Sequence, residues 1–293
     1  DTVEPSRGKQ AVTDENGHIT SCGDTVLGAD DFAGVSAILE GAASLLESGA
    51  THPTLELLFT TGEEHFCVGA KAFDAERLQS KTAYVMDLSG PVGDCAVAAP
   101  TLITFSAEVV GKAAHAGFAP EDGVHAIQVA AAAVANLPSG RWGDVTVNVG
   151  TITGGRATNI VPDSCTVTGE IRALCHQDAL DRLNEIHSEF VEQAQAVDAK
   201  LNFNHTIHIT GYRVDTDAPV AQRFRRACEA VGVAPRFTDT YGGSDCNILS
   251  AHGIQGLVVA TAMNNCHAVN EYTTVEELCK AGRLAQALME KQD

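Results

Sequence analysis

Residues 27–46 read LGADDFAGVSAILEGAASLL and combine an acidic pair with an apolar pattern of helical spacing. Apolar residues recur every three or four positions, which predicts a helix over 32–47 with one face in the core. The run LELLF at 55–59 follows and is typical of a buried strand. A helix followed by a buried strand indicates an α/β protein, in which sites lie at strand ends.

The pattern of strands and helices changes twice along the chain. Between residues 100 and 209, alternating apolar and polar positions predict half-buried antiparallel strands combined with two helices. After Asp215, helices again alternate with apolar strands. We therefore predict an α/β domain formed by 1–99 and 210–293, interrupted by a smaller α+β domain at 100–209.

Composition limits the classes of partner. Hydrophobic residues make up 44% of the 293 residues, and the formal net charge is −19. This charge would repel nucleic acid and anionic membranes, and no run of about 18 apolar residues suggests a membrane span. Nine cysteines without a CxxC pair predict a reduced, cytoplasmic setting. Because the chain starts at Asp1 without methionine, we expect that a preceding segment was removed or omitted.

Carboxylates and one histidine lie at predicted boundaries of strands and helices, namely at Asp30–Asp31, Glu63–Glu64, Asp87 and His267. Singly, each has a structural explanation, since acidic residues often cap helices and a lone histidine is usually structural. Together they fit two divalent metal ions bridged by one carboxylate. Adjacent glutamates outside a helix suit two roles, because one can bind metal while the other accepts a proton. The pattern predicts metal-dependent hydrolysis.

Other motifs narrow the chemistry further. The sequence contains no P-loop, no GxGxxG at the start of a βαβ unit and no GxSxG, which argues against nucleotide binding and serine hydrolysis. Glycine-rich turns at 154–159 and 242–245 could present backbone N–H groups to an anion. His115 has small neighbours on both sides, so we expect an exposed ring suited to contact with a substrate.

Seven motifs together resemble the two-zinc metallopeptidase family that includes peptidase T, carboxypeptidase G and aminoacylase. The resemblance is strongest to the peptidase T-like members and runs from end to end, although the chain lacks their N-terminal segment. In chain order, the motifs are DTV at 1–3, LGADDFAG at 27–34, TGEE at 61–64, GKAAHA at 111–116, ATNIVP at 157–162, GGSD at 242–245 and HAVNE at 267–271.

The resemblance implies a three-layer catalytic domain with a mixed sheet and an inserted lid and dimerisation domain. Asp30 would bridge two metal ions, most simply zinc although cobalt or manganese could substitute, and Glu64, Asp87 and His267 would be the other ligands. Glu63 would be the general base toward a metal-bridging water. Asp1 would match a catalytic aspartate that orients a metal-site group. A cis peptide bond is expected at Asp30-Asp31.

The resemblance also implies residues that contact the substrate. His115 would reach the active site of the partner subunit in a homodimer and stabilise the oxyanion. Asn159 and Arg172 would hold the carbonyl and carboxylate of the substrate, since a guanidinium can grip a carboxylate through two hydrogen bonds. Gly243 and Ser244, in the second glycine-rich turn, are further predicted to contact substrate.

The leading functional hypothesis is hydrolysis of an amide bond in short peptides, as by a tripeptidase or aminopeptidase. A second hypothesis is an N-acyl amino acid amidohydrolase, such as a deacylase or desuccinylase, because the metal residues cannot separate the two. A third is a truncated, inactive homologue. In the family a histidine ligand stands two residues before the aspartate that matches Asp1, and this chain starts too late to contain it. The chain as given would then bind one metal ion or none.

Overall fold

The computed structural model describes residues 2–292, which form two compact units. One unit comprises the described residues up to Ala99 together with those from Arg213 onward, and the other is Pro100–Tyr212. No helix in the described part of the chain is long and apolar enough to cross a membrane.

The described residues form thirteen strands and seven α-helices. Before residue 100 these are β1 (Ala11–Thr13), β2 (His18–Ser21), α1 (Ala29–Ser48), α2 (Val68–Ala72), β3 (Thr82–Ser89) and β4 (Asp94–Ala99). They are followed by β5 (Thr101–Val110), α3 (Ala126–Asn136), β6 (Gly140–Trp142), β7 (Val145–Gly154), β8 (Ser164–Ala173), α4 (His176–Gln195) and β9 (Lys200–Ile209). The last are β10 (Tyr212–Arg213), α5 (Pro219–Ala230), β11 (Arg236–Asp239), α6 (Asp245–Ala251), β12 (Gln255–Met263), β13 (Tyr272–Thr274) and α7 (Val275–Met289).

The first unit is built on a mixed five-stranded sheet. Its order is β10-β4-β12-β3, with β11 beside β4. β12 runs parallel to β3 and antiparallel to β4, and all its residues after Gln255 are buried. A strand buried on both faces needs a continuous apolar sequence, which GLVVATAM provides. Because β3 and β12 are parallel, the chain segments that follow them leave the sheet at the same edge.

A second, small sheet contains three antiparallel strands in the order β1-β2-β13. Its strands have only three or four residues each and are exposed or partly buried for most of their length. Such short strands carry little hydrophobic periodicity, which is why the sequence did not predict them.

The predicted strand at 55–59 is wrong. No strand is formed there, and Leu57 and Phe59 are 46% and 48% exposed. The segment instead lines a cavity of about 560 Å³, together with residues of β3 and α1. A strand exists only if a neighbour accepts and donates its ladder hydrogen bonds. Among the described residues no strand pairs with 55–59, so its apolar side chains line the cavity.

The second unit is an antiparallel sheet of order β6-β7-β8-β5-β9 with α3 and α4 packed against it. On β5, Ile103, Phe105, Ala107 and Val109 are buried, and the residues between them are partly exposed. This alternation matches the half-buried strand that the sequence predicts. Phe190 and Ile186 of α4 complete a core that belongs to this unit alone.

Candidate metal centre

The start of α1 places two aspartates beside the central sheet. Asp30 and Asp31 have non-helical backbone angles, and the peptide bond between them is cis, as expected. The regular helix therefore begins directly after the pair, and the Phe32 N–H donates to the Gly28 carbonyl at 3.1 Å across it. A side chain at Gly34 would overlap the Met86 carbonyl oxygen, so glycine is needed for α1 to lie this close to β3.

The two glutamates lie on a single turn of 3₁₀ helix, Glu63–His65. Gly62 before it has φ 71°, and Phe66 and Cys67 after it have φ 61° and 58°. Three left-handed residues around three helical ones form a tight turn. The turn brings both glutamates into the wall of the cavity that Asp30 also lines.

One histidine and two carboxylates come together as a potential ligand set. The His267 Nε2 atom lies 2.7 Å from Glu64 Oε1 and 3.1 Å from Asp30 Oδ2. One ligand atom from each of the three residues lies within 4.8 Å of the others. His267 itself has φ 65°, a conformation uncommon for a residue with a side chain and frequent at functional sites.

Four further carboxylates, Asp31, Glu63, Asp87 and Asp245, line the same cavity. Burial, followed by repulsion from Glu64, raises the pKa of Glu63 to about 7. Burial likewise raises the pKa of Asp31 to about 8. The pKa of Asp87 is raised well above its ordinary value by burial and then by the charge of Asp31.

The ligand set shows the same crowding of negative charge. Burial and the charge of Glu64 raise the pKa of Asp30. Burial lowers the pKa of His267, but Glu64 and Asp30 outweigh it, so that the pKa is raised overall. A divalent cation would relieve this repulsion. Imidazole nitrogen with carboxylate oxygen is a donor set that zinc and related ions accept. The residues present therefore fit a metal ion.

Sequence reasoning assigned no role to Asp245 or Glu271 and gave Asp31 no role separate from that of Asp30. Asp245 accepts a hydrogen bond from the Thr60 hydroxyl, and Asp31 accepts one from the Gly34 N–H at 3.0 Å. Glu271 accepts backbone hydrogen bonds at the start of α1. Asp245 and Glu271 stand in the GGSD and HAVNE motifs, which were the available signal. The hydrogen-bond partners of Asp245 and Glu271 are distant in sequence, so the sequence could not reveal the roles of these two residues.

Of the predicted substrate-binding residues, His115, Asn159 and Arg172 lie in the second unit. The His115 Nδ1 atom accepts backbone N–H groups from Gly117 and Phe118, both at 3.2 Å, and the ring is exposed as predicted. The neighbouring Asn159 accepts the Ala116 N–H at 3.0 Å through its backbone carbonyl. In β8, the Arg172 guanidinium pairs with Glu170 at 2.9 Å.

Gly243 and Ser244 lie directly before α6 in the first unit. The Ser244 hydroxyl accepts a hydrogen bond from the Cys246 N–H at 3.2 Å. The backbone N–H of Ser244 donates to Asn247 Oδ1 at 3.1 Å. Ser244 is buried and closes a capping box on α6, so its hydroxyl has a structural role. Asp1, predicted as catalytic, lies outside the described residues.

Comparison with known families and structures identifies the chain. The family model of the M20 peptidase dimerisation domain matches residues 97–198, and that of peptidase family M28 matches residues 4–99. Aminopeptidase PepT from Bacillus cereus ATCC 10987 superposes with a TM-score of 0.93 at 37% identity, covering 99% of this chain and 78% of that one. The chain belongs to the M20 family of metallopeptidases. The predicted family and fold class are both confirmed.

Two other proteins extend the comparison for this M20 family member. The uncharacterized protein YqjE of Bacillus subtilis (strain 168) is 34% identical over 292 residues, which are 99% of this chain and 78% of that protein. A tripeptidase from Staphylococcus aureus subsp. aureus Mu50 has a TM-score of 0.95 at 29% identity, again covering 99% of this chain and 78% of that one. The M20 fold is therefore shared over nearly the whole of this chain.

Proposed function

We propose that this chain hydrolyses an amide bond in short peptides, as a metal-dependent peptidase of the tripeptidase or aminopeptidase type. The observation that carries the proposal is the convergence of ligand atoms from Asp30, Glu64 and His267 within 4.8 Å. Glu63 lines the same cavity as Asp30 and Glu64. The similarity to an aminopeptidase PepT and to a tripeptidase supports this substrate class over other amides.

The proposed metals are two divalent ions, with zinc as the first choice. Asp30, Glu64, Asp87 and His267 would hold these ions, with Asp30 as the shared carboxylate. When bound, the ions would polarise the scissile carbonyl and make water a better nucleophile. A B. subtilis protein described as a dinuclear metal binding peptidase of the M20 family has the same fold at a TM-score of 0.72 and 18% identity.

Glu63 is the proposed general base. Its carboxylate lines the cavity and neighbours Glu64 in the turn without belonging to the three-residue ligand set. It would accept a proton from the attacking water and return that proton to the nitrogen of the leaving amine. One carboxylate can perform both transfers because, once it has accepted a proton, it is itself an acid that can donate that proton.

His115 is the proposed donor to the oxyanion of the tetrahedral intermediate. Its Nδ1 atom accepts two backbone N–H groups, so in the neutral ring the proton is on Nε2. An exposed Nε2–H can donate to developing negative charge. The match of residues 97–198 to a peptidase dimerisation domain supports a homodimer in which this histidine serves the partner subunit.

The remaining predicted residues have proposed substrate roles. Asn159 neighbours His115 and would donate to a substrate carbonyl. Arg172 would bind a substrate carboxylate, for which it would exchange its present pairing with Glu170. Gly243 would contribute backbone polar groups, whereas Ser244 would act mainly by holding the turn through its capping box. Asp1 would orient a group at the metal site.

The substitution Glu63→Gln tests the proposed base. It preserves shape and hydrogen-bonding capacity but cannot accept the proton, so we expect kcat to fall by roughly 100-fold or more. Metal content, measured by atomic emission, should be unchanged because Glu63 is outside the ligand set. Glu47→Gln, on the exposed surface of α1, is the control and should retain full activity. Unchanged turnover in Glu63→Gln would contradict the assignment.

A substrate panel tests the class of amide. The metal-loaded protein is assayed on tripeptides with free termini, on dipeptides, and on N-acetyl and N-succinyl amino acids. Tripeptides should give the highest kcat/KM. A preference for the acyl compounds would overturn the peptidase assignment in favour of an N-acyl amino acid amidohydrolase. Absence of hydrolysis with every substrate would contradict both.

A further inference from the structure

Glu271 is one of the few carboxylates in the described residues that is almost completely buried, with 1% of its surface exposed. Its Oε2 atom accepts the Gly28 N–H at 2.6 Å, and its Oε1 atom accepts the Asp30 N–H at 2.8 Å. We propose that Glu271 is a positioning residue that holds the backbone of Asp30 so that its carboxylate meets His267. This inference rests on the metal site of the proposed function.

The backbone at the start of α1 needs such an acceptor. The first N–H groups of a helix have no partner inside it, and Gly28 offers no side-chain cap. Asp30 and Asp31 leave the helical conformation, and the backbone bond that spans the pair joins Phe32 to Gly28 and not to Asp30. Two bonds to an ionised carboxylate are short and stronger than bonds between neutral groups. Glu271 therefore fixes the position of the Asp30 backbone, from which the Asp30 side chain extends.

Glu271 is itself held in place. Its N–H donates to the Ala268 carbonyl at 2.9 Å. The next residue, Tyr272, exchanges two backbone hydrogen bonds with Asn264 at 3.0 and 3.1 Å and begins β13. The loop that carries His267, four residues before Glu271, is thus closed at its base by the pairing of Asn264 with Tyr272. One rigid loop presents a ligand and also fixes the backbone of another ligand 237 residues away in sequence.

A direct metal-ligand role fits Glu271 less well. Both of its oxygens face backbone N–H groups, and Glu271 does not belong to the cluster formed by Asp30, Glu64 and His267. Mutation of residues that orient a metal ligand in this indirect way typically weakens metal affinity by roughly 10- to 100-fold. The expected effect of losing them is therefore measurable in binding and does not depend on turnover.

The substitution Glu271→Gln tests the inference in the full chain. Glutamine has the same shape, but its amide NH₂ must face one of the two N–H groups and the negative charge is lost. We expect the Kd for Zn²⁺, measured by competition with a chromogenic chelator, to rise by roughly 10- to 100-fold. In the peptide assay, kcat should fall more than KM rises. Glu271→Asp keeps the charge on a shorter arm and should recover part of the affinity.

The control is Asp94→Asn. Asp94 is a buried carboxylate of the same unit that binds Arg236 through two hydrogen bonds. This variant should lose stability in urea but keep the wild-type Kd for Zn²⁺. Wild-type affinity in Glu271→Gln, or an equal loss of affinity in Asp94→Asn, would show that Glu271 only stabilises the fold. If Glu271→Gln does not fold, the same comparison is made with Glu271→Asp.

The outcome can be separated from that of the proposed function. Wild-type protein that binds Zn²⁺ but cleaves no peptide would contradict the peptidase assignment and leave the affinity comparison decisive for Glu271. Wild-type protein that binds no Zn²⁺ would contradict both. Hydrolysis by the wild type together with unchanged metal affinity in both Glu271 variants would overturn the positioning role alone.

Discussion

At the scale of single residues, the turn after the glutamate pair has an unusual backbone. Phe66 and Cys67 are consecutive residues with φ 61° and 58° and are not glycines. A left-handed conformation costs a residue with a Cβ about 1–2 kcal/mol. Such residues persist where the surrounding structure requires them, often at functional sites. Here the left-handed residues form the tight turn in which Glu63 and Glu64 both line one cavity.

Phe66→Gly should therefore stabilise the chain. Glycine adopts φ 61° without strain, and the greater freedom of the unfolded chain offsets part of that benefit, so we expect a net gain of about 0.5–1 kcal/mol. The free energy of unfolding in urea measures it. Phe66→Ala removes the same ring but keeps the Cβ and should show no gain. Equal effects of the two variants would mean that side-chain contacts, not backbone strain, dominate.

At the scale of elements, α1 and α7 cross at two glycines in different surroundings. A Cβ on Gly41 would lie 2.8 Å from the Gln286 backbone nitrogen and 2.9 Å from the Ala285 Cβ. A Cβ on Gly282 would meet only the flexible Glu40 side chain, at 3.2 Å from its Cγ. The helices can lie this close because Gly41 has no side chain.

Gly41→Ala should destabilise the chain by about 1–3 kcal/mol, because the backbone of α7 can make room for the added methyl group only if the whole helix moves. Gly282→Ala in the same helix pair is the matched comparison. It should be neutral or stabilising by up to about 1 kcal/mol, since alanine has the higher helix propensity. Chemical denaturation of both variants gives the two values. A loss at Gly282 as large as that at Gly41 would contradict the proposed close contact.

At the scale of the whole molecule, the proposed metal ligands lie in only one of the two units. The proposed ligands Asp30, Glu64, Asp87 and His267 all belong to the first unit. The second has its own core, and its ends lie together: Leu102 pairs with Ile209, and the Gly211 N–H donates to Thr101 Oγ1 at 2.8 Å. A segment whose ends meet on neighbouring strands can fold separately.

Metal should therefore stabilise the full chain and not the isolated segment 100–212. At free Zn²⁺ 100-fold above Kd, binding to the native state adds about 2.7 kcal/mol to the free energy of unfolding, and a chelator removes it. Segment 100–212, expressed alone, should unfold cooperatively with the same midpoint in Zn²⁺ and in chelator. A metal-dependent shift in that segment would place a binding site outside the proposed ligand set.

Several elements were predictable because their causes are local. The apolar spacing over 32–47 matches α1, which spans Ala29–Ser48, and the alternation from Ile103 to Val109 matches β5. A residue's own neighbours decide such periodicities. The strand predicted at 55–59 failed because strand formation depends on a partner, which periodicity does not reveal.

The sequence by itself therefore determined the class of fold, most of the long elements and the residue types that could bind metal. Only the tertiary structure decided which carboxylates meet: His267 contacts Glu64 and Asp30 across more than 200 residues, and Glu271 binds the backbone of Asp30. The physical reason is that the packing of α1 and of the segment after β12 against one sheet sets these distances. No local pattern encodes such packing.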